Sequence, residues 1–294
     1  MKFICVLAIL SIMTSCGSHR INNSQKSKSD TFSDETFMRY GHARLDKLDK
    51  LNPLESALAN CYKGKFNSGL SSLKKSLNAN RSNSKYWLYL GNCYNLYGST
   101  HKANYYYDFA LSGPKEVQAA ILNNRALLAM KGLNYNEANE LLQKAIKLAP
   151  GVKVPKYNLA QLYIKFNHTQ SARDLLREYQ SSSTDKDVIF SMMSIELIEG
   201  NLKEAKKWEE KFSNNDLRRE DISLYRSLLY FEMKEFKKAK DALGLQRPTI
   251  IEEIKAASIE LQDRINSELK RIQEELDSKD AKVRKGVNSV AVKN

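Results

Sequence analysis

The sequence predicts an all-α protein, a stack of about six helical hairpins followed by one long helix. Three observations carry this expectation. Small side chains recur at an interval of about 34 residues between roughly residues 50 and 253. Helix start and stop signals recur in phase with them. No stretch shows the apolar–polar alternation of a half-buried strand. At 294 residues, 42% hydrophobic and 28% charged, the chain is long enough to bury a sizeable core.

Residues 1–16, MKFICVLAILSIMTSC, carry one cation at Lys2 and then an apolar run from Phe3 to Met13. That run is shorter than the roughly 20 apolar residues a bilayer span needs. It has the build of a secretory signal. It ends in Met13-Thr14-Ser15-Cys16, which resembles the lipobox of bacterial lipoproteins. The resemblance implies a signal peptide over residues 1–15 and a lipid-modified Cys16 as first residue of the mature chain. A thiol is required there because the diacylglyceryl group is attached through sulfur. The alternative is an ordinary signal peptide with an incidental cysteine. Gly17 in the next position, rather than Asp, favours the outer membrane by analogy with lipoprotein sorting. Residues 16–40 are rich in Ser, Asn and Lys and read as a flexible tether. Residues 41–49 can begin a leading helix, with Leu45 and Leu48 as its apolar positions.

Asn52-Pro53-Leu54-Glu55 opens the first hairpin: Asn52 can cap, Pro53 suits the first turn, and Glu55 can reach back. Thr184-Asp185-Lys186-Asp187 and Thr249-Ile250-Ile251-Glu252 have the same spacing, and Pro150 falls where the third hairpin should stop. The clearest unit begins at Ser84. Trp87, Leu90, Tyr94 and Tyr107 fill the space between two antiparallel helices, while Gly91, Ala103 and Ala110 let the backbones approach. Ala57, Gly64, Phe66 and Gly69 repeat the phase one period upstream. Downstream it recurs at Ala126, Ala138 and Ala145, then Ala160 and Ala172, and more weakly at Gly200 and Ala205 and at Phe236 and Ala239.

This pattern resembles the tetratricopeptide repeat, a helix–turn–helix unit. The resemblance implies a right-handed α-solenoid over residues 41–253 in which neighbouring hairpins bury a shared core. It also implies a concave groove lined by the first helix of each pair. Carried onto this sequence, the groove positions are Tyr89, Asn92 and Asn95 in one unit, Asn123, Asn124 and Lys131 in the next, and Tyr157, Asn158, Gln161 and Lys165 in the third. Amides in such a row can pair with the backbone of an extended peptide. The competing reading is that these asparagines serve only their local turns. Leu88, Asn123 and Tyr157 stand where a carboxylate-clamp repeat needs lysine, so capture of a free peptide C-terminus by that route is not expected.

Residues 249–285 form one long amphipathic helix, with Ile254, Leu261, Ile265, Leu269, Ile272, Leu276 and Val283 on its apolar side. It can cap the last hairpin, pair as a coiled coil with a second copy or a partner, or lie on a membrane. From Lys279 on, basic residues without pattern suggest a frayed end, with 286–294 disordered.

The formal charge of +13 invites a nucleic-acid reading, but export would place acidic lipid, cell-wall polymer or protein within reach instead. No nucleic-acid partner is therefore expected. Four cysteines do not make a framework: Cys5 leaves with the signal and Cys16 is acylated. Cys61 and Cys93 fall on neighbouring first helices, where a disulfide is conceivable and two small buried residues are the plainer account. The histidines His19, His42, His101 and His168 lack ligand spacing, and there is no phosphate loop or nucleophile elbow. The sequence thus predicts no enzyme, metal or cofactor. It predicts a lipid-anchored envelope scaffold that binds a protein or peptide partner, for instance in pilus or secretion-system assembly. The alternatives are a docking platform or activator for a cell-wall enzyme, and a structural protein that self-associates as a homodimer through its last helix.

Overall fold

A computed structural model describes residues 37–40, 51–180, 184–249 and 251–291, with side chains described as far as residue 281. The expected signal peptide, Cys16, residues 16–36 of the expected tether and the leading helix around Leu45 and Leu48 lie outside the described residues. The described residues are helix, turn and connection, with no strand among them. They divide into two compact units that meet in sequence at Ser182–Ser183.

The N-terminal unit holds four hairpins. They are α1 (Pro53–Tyr62) with α2 (Phe66–Lys75), then, after the short α3 (Leu77–Asn80), α4 (Ser84–Leu96) with α5 (Thr100–Ala110), α6 (Lys115–Lys131) with α7 (Tyr135–Leu148), and α8 (Lys153–Lys165) with α9 (Thr169–Gln180). The capping box at the start is formed as expected: Asn52 Oδ1 accepts from the amides of Leu54 and Glu55, and Glu55 accepts from the Asn52 amide at 2.9 Å.

The repeat is written most plainly in the turns. Gly64, Gly98, Leu133, Asn167, Gly200 and Lys234 adopt φ between 60° and 85°. Each occupies the same position of its hairpin, just past the end of the first helix. In each, the amide of the next residue donates to the carbonyl five residues back, as in Lys65 to Asn60 and Asn134 to Ala129, both at 2.8 Å. This is the Schellman closure that satisfies the orphan carbonyls of a helix end. Glycine or asparagine adopts the left-handed conformation at little cost, and leucine and lysine do not. The fold imposes the turn even where the sequence resists it.

At the helix crossings the small residues are fully buried: Ala103, Ala126, Ala138, Ala145, Ala160 and Ala172 have no exposed surface. At Gly91 an added Cβ would strike the Tyr107 ring and lie 3.2 Å from the Ala103 carbonyl. Here the close approach of α4 and α5 requires glycine. Cys61 of α1 and Cys93 of α4 are joined in a disulfide, with their Cα atoms 5.4 Å apart. This corrects the plainer sequence reading of two separate buried thiols. The stagger of neighbouring first helices brings repeat positions that are two apart in phase to the same level.

The C-terminal unit holds α10 (Lys186–Ile198) with α11 (Leu202–Glu209), a 3-10 turn at Asp216–Arg218, α12 (Glu220–Glu232) with α13 (Phe236–Gly244), and α14 (Glu252–Ala291). Asp185, rather than Thr184, caps α10, accepting from Asp187 and Val188. Arg219 is enclosed between Asp187 on α10 and Asp221 on α12, at 2.7 Å from each. Burial works against its charge, but the carboxylates of Asp221 and Asp187 outweigh burial and hold the guanidinium protonated. The first part of α14 caps the unit: Ile254, Ala257, Leu261 and Ile265 are buried, and the helix packs on α12 and α13. Leu269 and Ile272 are half-buried and Leu276 is 50% exposed, so the apolar stripe outruns its partners. The helix continues to Ala291, where the sequence had suggested fraying from Lys279 and disorder over 286–294; residues 292–294 lie outside the described residues. Among the described residues no helix is long and apolar enough to cross a membrane.

Candidate peptide-binding face

The first helices of the N-terminal unit set their asparagines side by side. Asn92 comes from α4, Asn123 and Asn124 from α6, and Asn158 from α8, and all are fully buried. They bond to one another in a row. Asn158 Nδ2 donates to Asn123 Oδ1 at 2.8 Å, Asn123 Nδ2 to Asn124 Oδ1 at 2.9 Å, and Asn124 Nδ2 to Asn92 Oδ1 at 2.6 Å. Tyr107, on the second helix α5, donates its hydroxyl to Asn92 Oδ1 at 2.9 Å. That phenol is held well above its ordinary pKa, first by burial, which its bonds to amides only partly offset. The row is therefore anchored at one end in the core of a hairpin.

Across this row lies a peptide, and it belongs to the chain itself. The Met38 amide donates to Asn124 Oδ1 at 2.8 Å. The Met38 carbonyl accepts from Asn123 Nδ2 at 2.8 Å and from Asn158 Nδ2 at 2.9 Å. The Tyr40 amide donates to Asn158 Oδ1 at 2.8 Å. One residue thus presents its N–H and C=O to the same side, and the residue two along presents its N–H there as well. That is how an extended strand offers its edge. The amides read main-chain groups, so the bonds carry little information about sequence.

The side chains supply it. Phe37 is buried in the apolar cluster built by α1, α4, α5 and α6. Met38 sets its sulfur 4.0 Å from the Tyr107 hydroxyl. Arg39 lays its guanidinium over the Tyr157 ring at 3.8 Å, a cation–π contact. Tyr40 packs among Ala126, Met130, Leu159 and Leu162, with Tyr135 and Tyr163 at the edge. Burial, and then the neighbouring Tyr135 and Tyr157, raise its phenol pKa.

Of the ten groove positions expected from the repeat, Asn92, Asn123, Asn124 and Asn158 form the amide row, and Tyr157 carries the cation contact. Asn95 touches only its edge, at 3.4 Å from the Tyr107 hydroxyl. Tyr89 and Gln161 are buried on the same helices. Lys131 is exposed, and Lys165 reaches over the Tyr135 ring at 5.2 Å. Neither lysine is brought to the row, because long side chains leave a position that the helix phase alone assigns them. Residues 37–40 were expected to be tether and are instead a docked part of the unit. The signal that could have found them is Phe37-Met38-Arg39-Tyr40 itself, a bulky apolar cluster closing a polar tract. Among the described residues no group of three or more His, Cys, Asp or Glu is placed to hold a metal ion.

Two features now define the class: helical hairpins stacked in phase, and a face on their first helices that holds extended backbone. This is a helical-repeat scaffold for protein interaction. Residues 127–188 match a family model of the tetratricopeptide repeat, so that stretch carries the repeat. Solved structures of similar fold include PilW, a widely conserved type IV pilus biogenesis factor. It has a TM-score of 0.54 at 14% identity, covering 65% of this chain and 89% of PilW. Pseudomonas aeruginosa pilF gives 0.54 at 17% identity, over 65% of this chain and 86% of its own. A tetratricopeptide repeat protein from Parabacteroides merdae gives 0.52 at 21% identity, over 78% and 92%. No curated protein matches the sequence.

Proposed function

We propose that this chain is a non-enzymatic scaffold of a bacterial cell envelope. Cys16 carries a lipid anchor, in the outer membrane by the Gly17 argument, and the hairpins hold a partner protein through an extended segment. Pilus or secretion-system assembly is the setting that fits best. The observation that carries this reading is the row Asn92–Asn124–Asn123–Asn158, four fully buried amides of which Asn123, Asn124 and Asn158 bond the main chain of an extended segment. Buried amides cost free energy unless they are paired, and here much of the pairing is spent on a backbone. Three further points support it. The segment ending in Cys16 resembles a lipobox. The Cys61–Cys93 disulfide suits an oxidising compartment outside the cytoplasm. One protein of similar fold, PilW, is a type IV pilus biogenesis factor.

The test uses two variants of the full chain in cells. Cys16→Ala should abolish labelling by radioactive palmitate and release the protein from the membrane fraction. Asn92→Ala/Asn124→Ala/Asn158→Ala should keep the anchor and lose specific envelope partners identified by crosslinking. Equal palmitate labelling would remove the anchor from the reading. An unchanged set of crosslinked partners would remove the amide row.

A further inference from the structure

The peptide on the amide row is part of the chain, so the site is occupied before any partner arrives. We propose that Phe37–Tyr40 is an exchangeable internal ligand. A partner enters the row by displacing it with an extended segment of the same chemistry: a bulky apolar pair, an arginine and a tyrosine. This rests on the reading of the row as the partner site.

Three features favour exchange over a permanent seam. First, Met38 and Tyr40 of this strap, Phe37–Tyr40, engage the amide row through main-chain groups: Met38 N–H, Met38 C=O and Tyr40 N–H. Any extended backbone can supply the same groups. Second, the row holds its shape through bonds of its own. Asn158 to Asn123, Asn124 to Asn92 and Tyr107 to Asn92 do not involve the strap. Removing the strap leaves a preorganised acceptor, which lowers the ordering cost for an incoming segment. Third, the places that read side chains are distinct and separable. Phe37 enters the cluster of α1 to α6, Arg39 stacks on Tyr157, and Tyr40 fills the cleft by Tyr135 and Leu162. An emptied site would present buried amides and apolar surface to water. Replacement by another segment is favoured over simple opening.

The strap's advantage is its attachment. A tethered ligand sees its site at an effective concentration on the order of millimolar. A free peptide whose intrinsic Kd is about 10 μM would then be weakened on the order of 100-fold in the intact chain. A partner held near the membrane by other contacts recovers that factor by the same effect.

The experiment measures binding of a fluorescein-labelled peptide spanning residues 35–42 to the full chain by anisotropy. Two strap-released variants are compared with wild type. Phe37→Asp/Tyr40→Asp places carboxylates in apolar pockets. Met38→Pro/Tyr40→Pro removes the two donated N–H groups. Both changes lie outside the helices, so the hairpins are expected to keep their circular dichroism. Each variant should bind the peptide on the order of 100-fold more tightly than wild type. Adding Asn124→Ala/Asn158→Ala should remove that gain, and a peptide carrying proline at positions 38 and 40 should not compete. Released variants that bind no better than wild type would overturn the proposal. So would a wild-type dimer that the peptide converts to monomer, since the strap would then pass between copies. If peptide exchange is observed while the asparagine variants keep their envelope partners, the internal ligand stands and the partner-site reading fails.

Discussion

Reducing the Cys61–Cys93 bridge should cost the N-terminal unit roughly 3–4 kcal/mol. The bridge spans 32 residues of sequence. In the chain-entropy account, closing a loop of that length removes about 12 cal/mol/K from the unfolded state, or about 3.7 kcal/mol at 25 °C. Little else should change. Both sulfurs are buried, and a buried thiol behaves as a small apolar group, so the reduced form keeps its packing. For a unit of about 150 residues the unfolding entropy is about 0.3 kcal/mol/K, which converts the loss to a fall in Tm of about 10–12 °C. The assay is thermal denaturation followed by circular dichroism, with and without reductant, at one protein concentration. Reduction is a cleaner perturbation than Cys61→Ala, because Gly69 packs its backbone directly against that sulfur and truncation would open a void. Two results would refute the reasoning. One is alkylation of both cysteines in the folded, unreduced protein. The other is a Tm that moves by less than about 2 °C on reduction.

Leu133→Gly should stabilise the N-terminal unit. Leu133 sits at φ 61° and is 65% exposed, so it carries the left-handed strain of about 1–2 kcal/mol with little packing in return. Glycine's larger unfolded-state freedom offsets part of this, leaving a gain of about 0.5–1 kcal/mol that urea denaturation can read. In the C-terminal unit, Asp216 faces Lys186 and accepts from Ser213 Oγ at 2.7 Å. Burial alone would raise its pKa, but the bonds from Lys186 and Ser213 and the lysine's charge outweigh burial and hold the carboxyl below its usual range. A lowered folded-state pKa contributes stability that is complete above the unfolded value and is lost as pH falls through the folded one. Wild type should therefore lose stability below about pH 4. Asp216→Asn should be less stable by about 1–3 kcal/mol at pH 7, with a flatter profile below pH 4. Parallel acid titrations of the two proteins provide the check.

How much of this was legible in the sequence depends on the distance over which each feature is decided. The hairpins are decided locally. Small residues at Gly91, Ala103, Ala126, Ala138, Ala160 and Ala172 recur in phase because each helix pair must cross at close range. The amide row was legible by the same route, since phase puts Asn92, Asn124 and Asn158 on one face. The strap was not. Its bonds join Met38 to Asn124 and Tyr40 to Asn158, 86 and 118 residues away. No rule of periodicity or composition reaches that far, and a polar tract preceding four residues hides them. The disulfide lay between these cases. Neighbouring first helices were expected to be adjacent, but the stagger that brings Cys61 level with Cys93 is set by packing. The long helix showed its period plainly, whereas the reach of its apolar stripe beyond Ile265 depends on how far α12 and α13 extend.

The row of asparagines makes most sense as a feature held against stability. A stack of hairpins needs apolar residues on the inner face of its first helices, and Leu88, Leu90, Leu159 and Leu162 supply them here. Four fully buried amides among them gain about 0.5–1.5 kcal/mol for each bond they make and lose about 1–3 kcal/mol for each one left unmade. Satisfying them within the repeats alone is incomplete. Asn158 Oδ1 accepts from Tyr40, and Asn124 Oδ1 accepts from Met38 as well as from Asn123. Apolar residues at positions 123, 124 and 158 together would remove that dependence and leave Tyr107 bonded to Asn92, and the hairpins would still cross at their alanines. What such a change would abolish is the capacity to hold a backbone. Within the N-terminal unit, then, the small residues set the fold and the buried amides set what the fold can hold, with Tyr107 belonging to both because Gly91 makes room for its ring and Asn92 receives its hydroxyl.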